Sequence, residues 1–325
     1  MERLLKPLIA LMMLFSSVVF AADYELKLAH VTSNKEPLHQ ALEYYAKNVE
    51  KRSNGKIKIT IHPNGELGTN LEVYEQVKLG LPVIQTADPG YLSDYAPDFG
   101  VLNGPYLLND PKDFKKLLDS SLYQSMKETV KKNGNFEVLA MNWLFGERHI
   151  ISDKAILSPD DLKGVSMRVP PNVMWIETVK AMGARATQLA WSEVYTGLSS
   201  GVVDAAEAPL GSLYAAKLYE SKKHVSLTSH FKAFIGLVIN ADYFANLPKD
   251  IQTILAEEAI NAGEFMTELS VNTTDALLDK LRAEGVTVHK NVDANAFQKA
   301  TAPVYQKFPK WSDGLHAKVR EILDN

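Results

Sequence analysis

Two arginines stand where their residue type points most directly to chemistry. Arg148 lies in Phe145-Gly146-Glu147-Arg148-His149, just after an apolar run and an aromatic pair. Arg168 sits inside Val165-Ser166-Met167-Arg168-Val169-Pro170, at the end of a mostly apolar β run. Arginine is almost never buried without a partner. At a strand end of an α/β protein it points into the crevice where ligands bind, and its planar fork matches a carboxylate. The competing role for each is an internal ion pair with a nearby Asp or Glu, which residue type alone favours.

Other chemistries find less support. Gly197-Leu198-Ser199-Ser200-Gly201 matches the G-x-S-x-G nucleophile elbow. That elbow needs a strand entering and a helix leaving, whereas Trp191-Ser192-Glu193-Val194-Tyr195 reads as helical, so the glycines read as a helix end and a turn. A secreted serine hydrolase using Ser199 is the alternative this motif defines. Eight histidines are scattered without ligand spacing, and no GxGxxG, P-loop, HExxH or EF-hand pattern occurs, so neither a metal nor a cofactor is expected. The absence of cysteine excludes a disulfide framework, thiol catalysis and thiolate metal sites.

The elements that must position these residues are those of an α/β protein. Tyr24–His30 alternates as a half-buried strand, Leu38–Val49 has helical spacing, and Lys56–Ile61 alternates again after the turn at Asn54-Gly55. Strand, helix, strand in this order predicts a βαβ unit and a parallel sheet. Short strands are predicted at Val138–Met141, Val165–Val169 and Phe234–Ile239. Helices are predicted at Glu72–Leu79, Asn172–Met182 and Ser192–Leu198, with a long, broken helical stretch from Pro248 to about Leu281 and a late strand at Gly285–Val288. No repeat or low-complexity linker separates two beads, so two α/β lobes with several crossings fit best.

The chain has 325 residues, 46% hydrophobic and 23% charged, with a net charge of −4. That is enough for one large domain or two ordinary ones with a sizeable core. The slight acidity gives no reason to expect a nucleic-acid partner. Arg3 and Lys6, the apolar run Leu8–Phe20 and the small residues around Ala21 read as a signal peptide over residues 1–21, which predicts a periplasmic protein.

The segment order is distinctive. Leu162-Lys163-Gly164-Val165-Ser166-Met167-Arg168-Val169-Pro170 is followed by Met182-Gly183-Ala184, then Trp191-Ser192-Glu193-Val194-Tyr195-Thr196-Gly197-Leu198 and Gly201-Val202-Val203-Asp204-Ala205-Ala206-Glu207-Ala208-Pro209. With Pro63-Asn64-Gly65-Glu66-Leu67-Gly68 and Ile235-Gly236-Leu237-Val238-Ile239-Asn240, the chain from about Tyr24 onward resembles the substrate-binding subunits of TRAP (tripartite ATP-independent periplasmic) transporters, the DctP-like family. The resemblance implies a two-lobed Venus-flytrap α/β protein with a mixed, mostly parallel sheet in each lobe. It assigns 22–146 plus about 234–273 to lobe I, and 147–233 plus about 274–325 to lobe II. It further implies capture of a small carboxylate and delivery to membrane-embedded subunits, or, with the same fold, service to a sensor.

Carried over residue by residue, the family's carboxylate salt bridge falls on Arg168 and a second ligand contact on Arg148. Trp191 should pack on the ligand, Asp88 and Tyr91 should supply polar contacts from a first-lobe loop, and His30 should face the same cleft. Many relatives carry Asn where this chain has Ala208. The missing amide leaves room for water or a bulkier ligand. Asp88 and Glu207 are then expected to accept hydrogen bonds from ligand hydroxyls, favouring a sugar acid or related hydroxy acid.

Overall fold

The computed structural model describes residues 22–325, so the signal peptide expected over 1–21 lies outside the described residues. Among the described residues, nine strands form one hydrogen-bonded sheet. They are β1 (Tyr24–Ala29), β2 (Ile57–His62), β3 (Val83–Ala87), β4 (Phe136–Ser152), β5 (Ser166–Val169), β6 (Arg185–Gln188), β7 (Ala205–Pro209), β8 (His224–Asn240) and β9 (Thr287–His289). Their order is β2-β1-β3-β8-β4-β7-β5-β6, with β9 beside β8. Pairing is parallel within β2-β1-β3 and within β7-β5-β6, and antiparallel where β3, β8, β4 and β7 meet.

The opening βαβ unit forms as its pattern predicts. The helix Pro37–Arg52 starts with proline at its first turn, where no intrahelical N–H is needed, and buries Leu38, Ala41, Leu42, Tyr45 and Val49. The helix Val173–Met182 is capped by the Asn172 side chain and ends at Gly183 in the left-handed conformation, φ 107°.

Two strands are far longer than their apolar runs suggested. β4 and β8 each span 17 residues. Their pairing slips at four places in β4, one of them beside Gly146 at φ 131°, so the alternation that marks a strand is broken along it. The stretch expected to break after Pro248 is instead one continuous 35-residue helix, Lys249–Ala283. Its Gly263 sits where a Cβ would lie 2.2 Å from the Asn142 Oδ1, so the glycine serves close packing on β4 and does not interrupt the helix.

These three long elements join the two lobes. Leu139, Trp143, Ile235 and Ile239 pack in one lobe's core with Leu255 and Met266. Further along the same strands, Ile150 and Phe231 pack with Met167 and Trp175, while Ile151 and Val225 pack with Leu278 and Leu281. The C-terminal region divides: Phe297 and Val304 join the second lobe, but the last helix, Leu315–Asp324, buries Leu315, Val319 and Leu323 beside Phe114 and Leu117 in the first. The expected lobe II span of 274–325 therefore does not describe that helix, whose apolar face is drawn to the first lobe's open core.

Candidate functional site

Between the lobes lies a cavity walled by His30, Asp88 and Tyr91 on one side and by Arg148, Arg168, Asn172, Trp175 and Trp191 on the other. Arg168 comes from β5, where Met167 and Val169 point into the second lobe's core. The two-residue period of a strand therefore turns Arg168 to the opposite face, toward the cleft. Its Nε and Nη2 both donate to the Leu189 carbonyl, at 3.0 and 2.8 Å, and its guanidinium lies 5.5 Å from the centre of the Trp191 ring. Among the described residues no carboxylate comes within ion-pair distance, although the side chain is 3% exposed. Burial, aided by the nearby Arg148 charge, lowers its pKa to about 10 against the opposing pull of Glu207.

Arg148, on β4, is held differently. Its Nε and Nη2 donate to the two Glu207 carboxylate oxygens at 2.5 and 2.8 Å, and Nη2 also reaches the Glu207 carbonyl at 3.1 Å. The internal ion pair anticipated as the competing role for either arginine is thus formed by this one. Arg148 still walls the cavity, and among the described residues its Nη1 makes no hydrogen bond.

Glu207 is a correction. It was expected to offer an oxygen to ligand hydroxyls, but it is fully buried and absent from the cavity wall. Its Oε1 accepts from Trp175 Nε1 at 3.1 Å as well as from Arg148, and His230 Nε2 stands 3.5 Å from Oε2. Burial alone would raise its pKa; the charge and hydrogen bonds of Arg148, with His230, reverse this and hold the carboxyl down at about 2. Glu207 is the residue that orients Arg148.

Asp88 and Tyr91 belong to the tight turn after β3. Asp88 Oδ1 accepts from Gly90 N at 2.8 Å and from Asn103 Nδ2 at 2.5 Å, and burial raises its pKa to about 6. Tyr91 is buried with its ring 5.6 Å from that of Tyr74. His30 lines the cavity, yet both ring nitrogens are engaged, by Thr32 Oγ1 and His39 Nδ1 at 3.0 Å each. Burial, then His39, lowers its pKa to about 3, so the ring is neutral. Trp191 is half-buried in a short 3-10 turn at the cavity edge, covering Arg168. Ala208 also reaches the wall.

Sequence reasoning missed the residues that bring the lobes together. A Cβ placed on Gly90 in the first lobe would lie 1.4 Å from Nδ2 of Asn172 in the second. Glu36, at the start of the helix Pro37–Arg52, accepts from Ser212 Oγ of the opposite lobe at 2.7 Å and is 1% exposed. Asn172 had a readable signal as a helix cap; Glu36 and Ser212, which are 176 positions apart, had none. Ser199 ends the helix Val194–Ser199, exposed, its hydroxyl donating to the Thr196 carbonyl at 3.1 Å. No strand leads into it, so the elbow geometry is missing.

Comparison with known proteins bears on this site. The family described as bacterial extracellular solute-binding protein, family 7, matches residues 28–310. A TRAP periplasmic solute-binding protein from Ochrobacterium anthropi, with bound L-fuconate, shares 35% identity and a TM-score of 0.90, covering 93% of this chain and 100% of that one. One from Fusobacterium nucleatum, with bound sn-glycerol-3-phosphate, shares 31% identity and a TM-score of 0.89, covering 93% and 97%. The 2,3-diketo-L-gulonate-binding periplasmic protein of Escherichia coli K12 is 29% identical over 287 residues, 88% of this chain and 87% of its own. Among the described residues no helix is long and apolar enough to cross a membrane.

Proposed function

The chain belongs to family 7 of the bacterial extracellular solute-binding proteins and is the solute-binding subunit of a TRAP transporter, and from that premise we propose that its cleft captures a sugar acid by the carboxylate, with Arg168 as the anchor. One observation carries this reading: Arg168 is a buried cation with no carboxylate partner among the described residues, facing a cavity that Arg148 also walls. An arginine so placed needs an anion, because burial without a counter-charge disfavours its charged form. Both guanidiniums are fixed along the Nε–Nη2 edge, one by the Leu189 carbonyl and one by Glu207. Their Nη1 ends remain for the ligand, a preorganised pair that loses little freedom on binding. Trp191 would cover the carboxylate, while Asp88 and Tyr91 would meet hydroxyls from the opposite lobe. The L-fuconate and 2,3-diketo-L-gulonate relatives support a sugar acid as the class. Release to membrane-embedded partner subunits, from a periplasmic location, completes the proposal.

A thermal-shift series with L-fuconate and other sugar acids tests it. Ligand at 100 times Kd stabilises by about 2.7 kcal/mol, enough to move the melting point measurably. The neutral sugar L-fucose should produce no shift. A protein stabilised by L-fucose as well as by its acid would lose the carboxylate anchor.

A further inference from the structure

We propose that Asp88 makes the cleft a charge filter, accepting a hydroxyl of the bound acid and rejecting a second negative charge, so that polyhydroxy monocarboxylates are taken in preference to dicarboxylates and phosphate esters. The inference rests on the sugar-acid reading and narrows it. The fold alone does not decide the matter, since the Fusobacterium nucleatum relative holds sn-glycerol-3-phosphate.

Both hydrogen bonds that Asp88 accepts, from Gly90 N and Asn103 Nδ2, fall on Oδ1. No donor among the described residues reaches Oδ2, and no cation comes within ion-pair distance of the carboxylate, which lines the cavity. Facing it are the hydroxyl of Tyr74, which accepts the Asp88 N–H at 3.1 Å, then Tyr91, and beyond them Arg148 and Glu207. Within the cleft, Arg148 and Glu207 cancel, and a ligand carboxylate cancels Arg168. Among the residues that line the cavity, the remaining charge is the carboxylate of Asp88. A hydroxyl placed there gains a charge-assisted hydrogen bond. A second carboxylate or a phosphate dianion placed there meets a like charge in a site from which water has been displaced. Burial raises the Asp88 pKa only to about 6, so at neutral pH the repelling charge is present.

Asp88→Asn is the direct test. The amide oxygen can keep both bonds from Gly90 and Asn103, while the other end changes from acceptor to donor. Calorimetric titration at pH 7.5 would compare L-fuconate and L-galactonate with galactarate and sn-glycerol-3-phosphate. The wild-type protein should bind the monocarboxylates at least about tenfold tighter than either dianion. In Asp88→Asn the monocarboxylates should weaken by roughly 10- to 100-fold, as expected for losing a hydrogen bond to a charged group, and the dianions should gain relative to them. A second measurement needs no variant. At pH 5, where Asp88 is largely protonated, the wild-type preference for L-galactonate over galactarate should narrow; any proton uptake that accompanies lobe closure affects both ligands and cancels in the ratio. If L-galactonate binds but the ratio is unchanged both in the variant and at pH 5, the filter is wrong and the sugar-acid reading stands. If wild-type protein binds galactarate as tightly as L-galactonate, the filter is wrong and the sugar-acid reading stands; if it takes sn-glycerol-3-phosphate and none of the sugar acids, both fall.

Discussion

Arg168 and Arg148 carry the same charge and differ in what compensates it, and that difference separates binding from stability. Arg148 is paired within the protein by Glu207; Arg168 donates to the Leu189 carbonyl and has no carboxylate partner among the described residues. Truncating one member of a buried, hydrogen-bonded charge pair costs about 2–5 kcal/mol. For Arg168 the other member is the ligand, so Arg168→Ala should weaken sugar-acid binding by roughly 30- to 3,000-fold and scarcely move the melting point of the ligand-free protein. For Arg148 the partner is internal. Glu207→Gln should strand a buried guanidinium and destabilise the ligand-free protein by about 3–5 kcal/mol. Because the Glu207 pKa is held down at about 2, its contribution is complete at neutral pH and fades as acid drives the pH below the usual carboxylate range. Titration together with ligand-free melting of both variants checks the contrast; a large melting loss in Arg168→Ala with unchanged affinity would remove it from the binding role.

At the scale of elements, two helix starts meet across the cleft. The turn after β3 begins the short helix Pro89–Leu92, and Asn172 caps the helix Val173–Met182. Gly90 has no side chain where Asn172 Nδ2 would be 1.4 Å from its Cβ, and the next two closest atoms, at 2.4 and 2.8 Å, belong to the same Asn172 side chain. That side chain cannot swing away freely, since Oδ1 accepts from Met174 N at 3.0 Å. Gly90→Ala should therefore leave each lobe folded and prevent their approach, reducing sugar-acid affinity by at least tenfold while ligand-free melting stays unchanged. Asn172→Ala in the same chain should restore approach, at a cost of about 1 kcal/mol for the lost helix cap. An affinity that fails to recover in the double variant would place the effect of Gly90→Ala outside the lobe contact.

At the scale of the whole molecule, lobe closure buries a carboxyl group. Glu36 meets Ser212 of the opposite lobe, and burial raises its pKa to about 7, opposed by the Ser212 and Ser33 hydrogen bonds and by Arg148. In an open form with Glu36 in water, the group returns to the ordinary range near 4.3. The sign follows from linkage: a group that holds its proton more tightly when closed makes closure take up a proton between those two values. Below the ordinary value both forms are protonated and closure is unaffected; as pH rises through the window the buried charge counts increasingly against closure. The contribution of Glu36 to sugar-acid affinity should thus decline from about pH 5 to pH 8 and be absent in Glu36→Gln, whereas ionisation of Asp88 near pH 6, which supplies the acceptor for a ligand hydroxyl, works in the opposite direction. Titration near pH 6 in two buffers of different ionisation enthalpy should detect proton uptake on binding, reduced in Glu36→Gln. Equal uptake in that variant would assign the proton elsewhere.

Local pattern determined much of this protein. The alternation of β1 and β2, the helical spacing of Leu38 to Val49 and the apolar setting of Arg168 made a parallel α/β fold and one cleft arginine legible, because short-period burial patterns are written in consecutive residues. The order of segments around Arg168 and Trp191 pointed to the family. Tertiary structure decided the rest. β4 and β8 run through both lobes past slips in register that hide their alternation, and the long helix stays whole across Gly263. Glu207 turned inward because Arg148, 59 positions earlier, supplies its counter-charge across the antiparallel β4–β7 pairing, where Ile150 faces Glu207. Glu36 found Ser212 only when the lobes came together. Charge compensation depends on distances of a few ångströms between residues far apart in the chain, and no local periodicity encodes it.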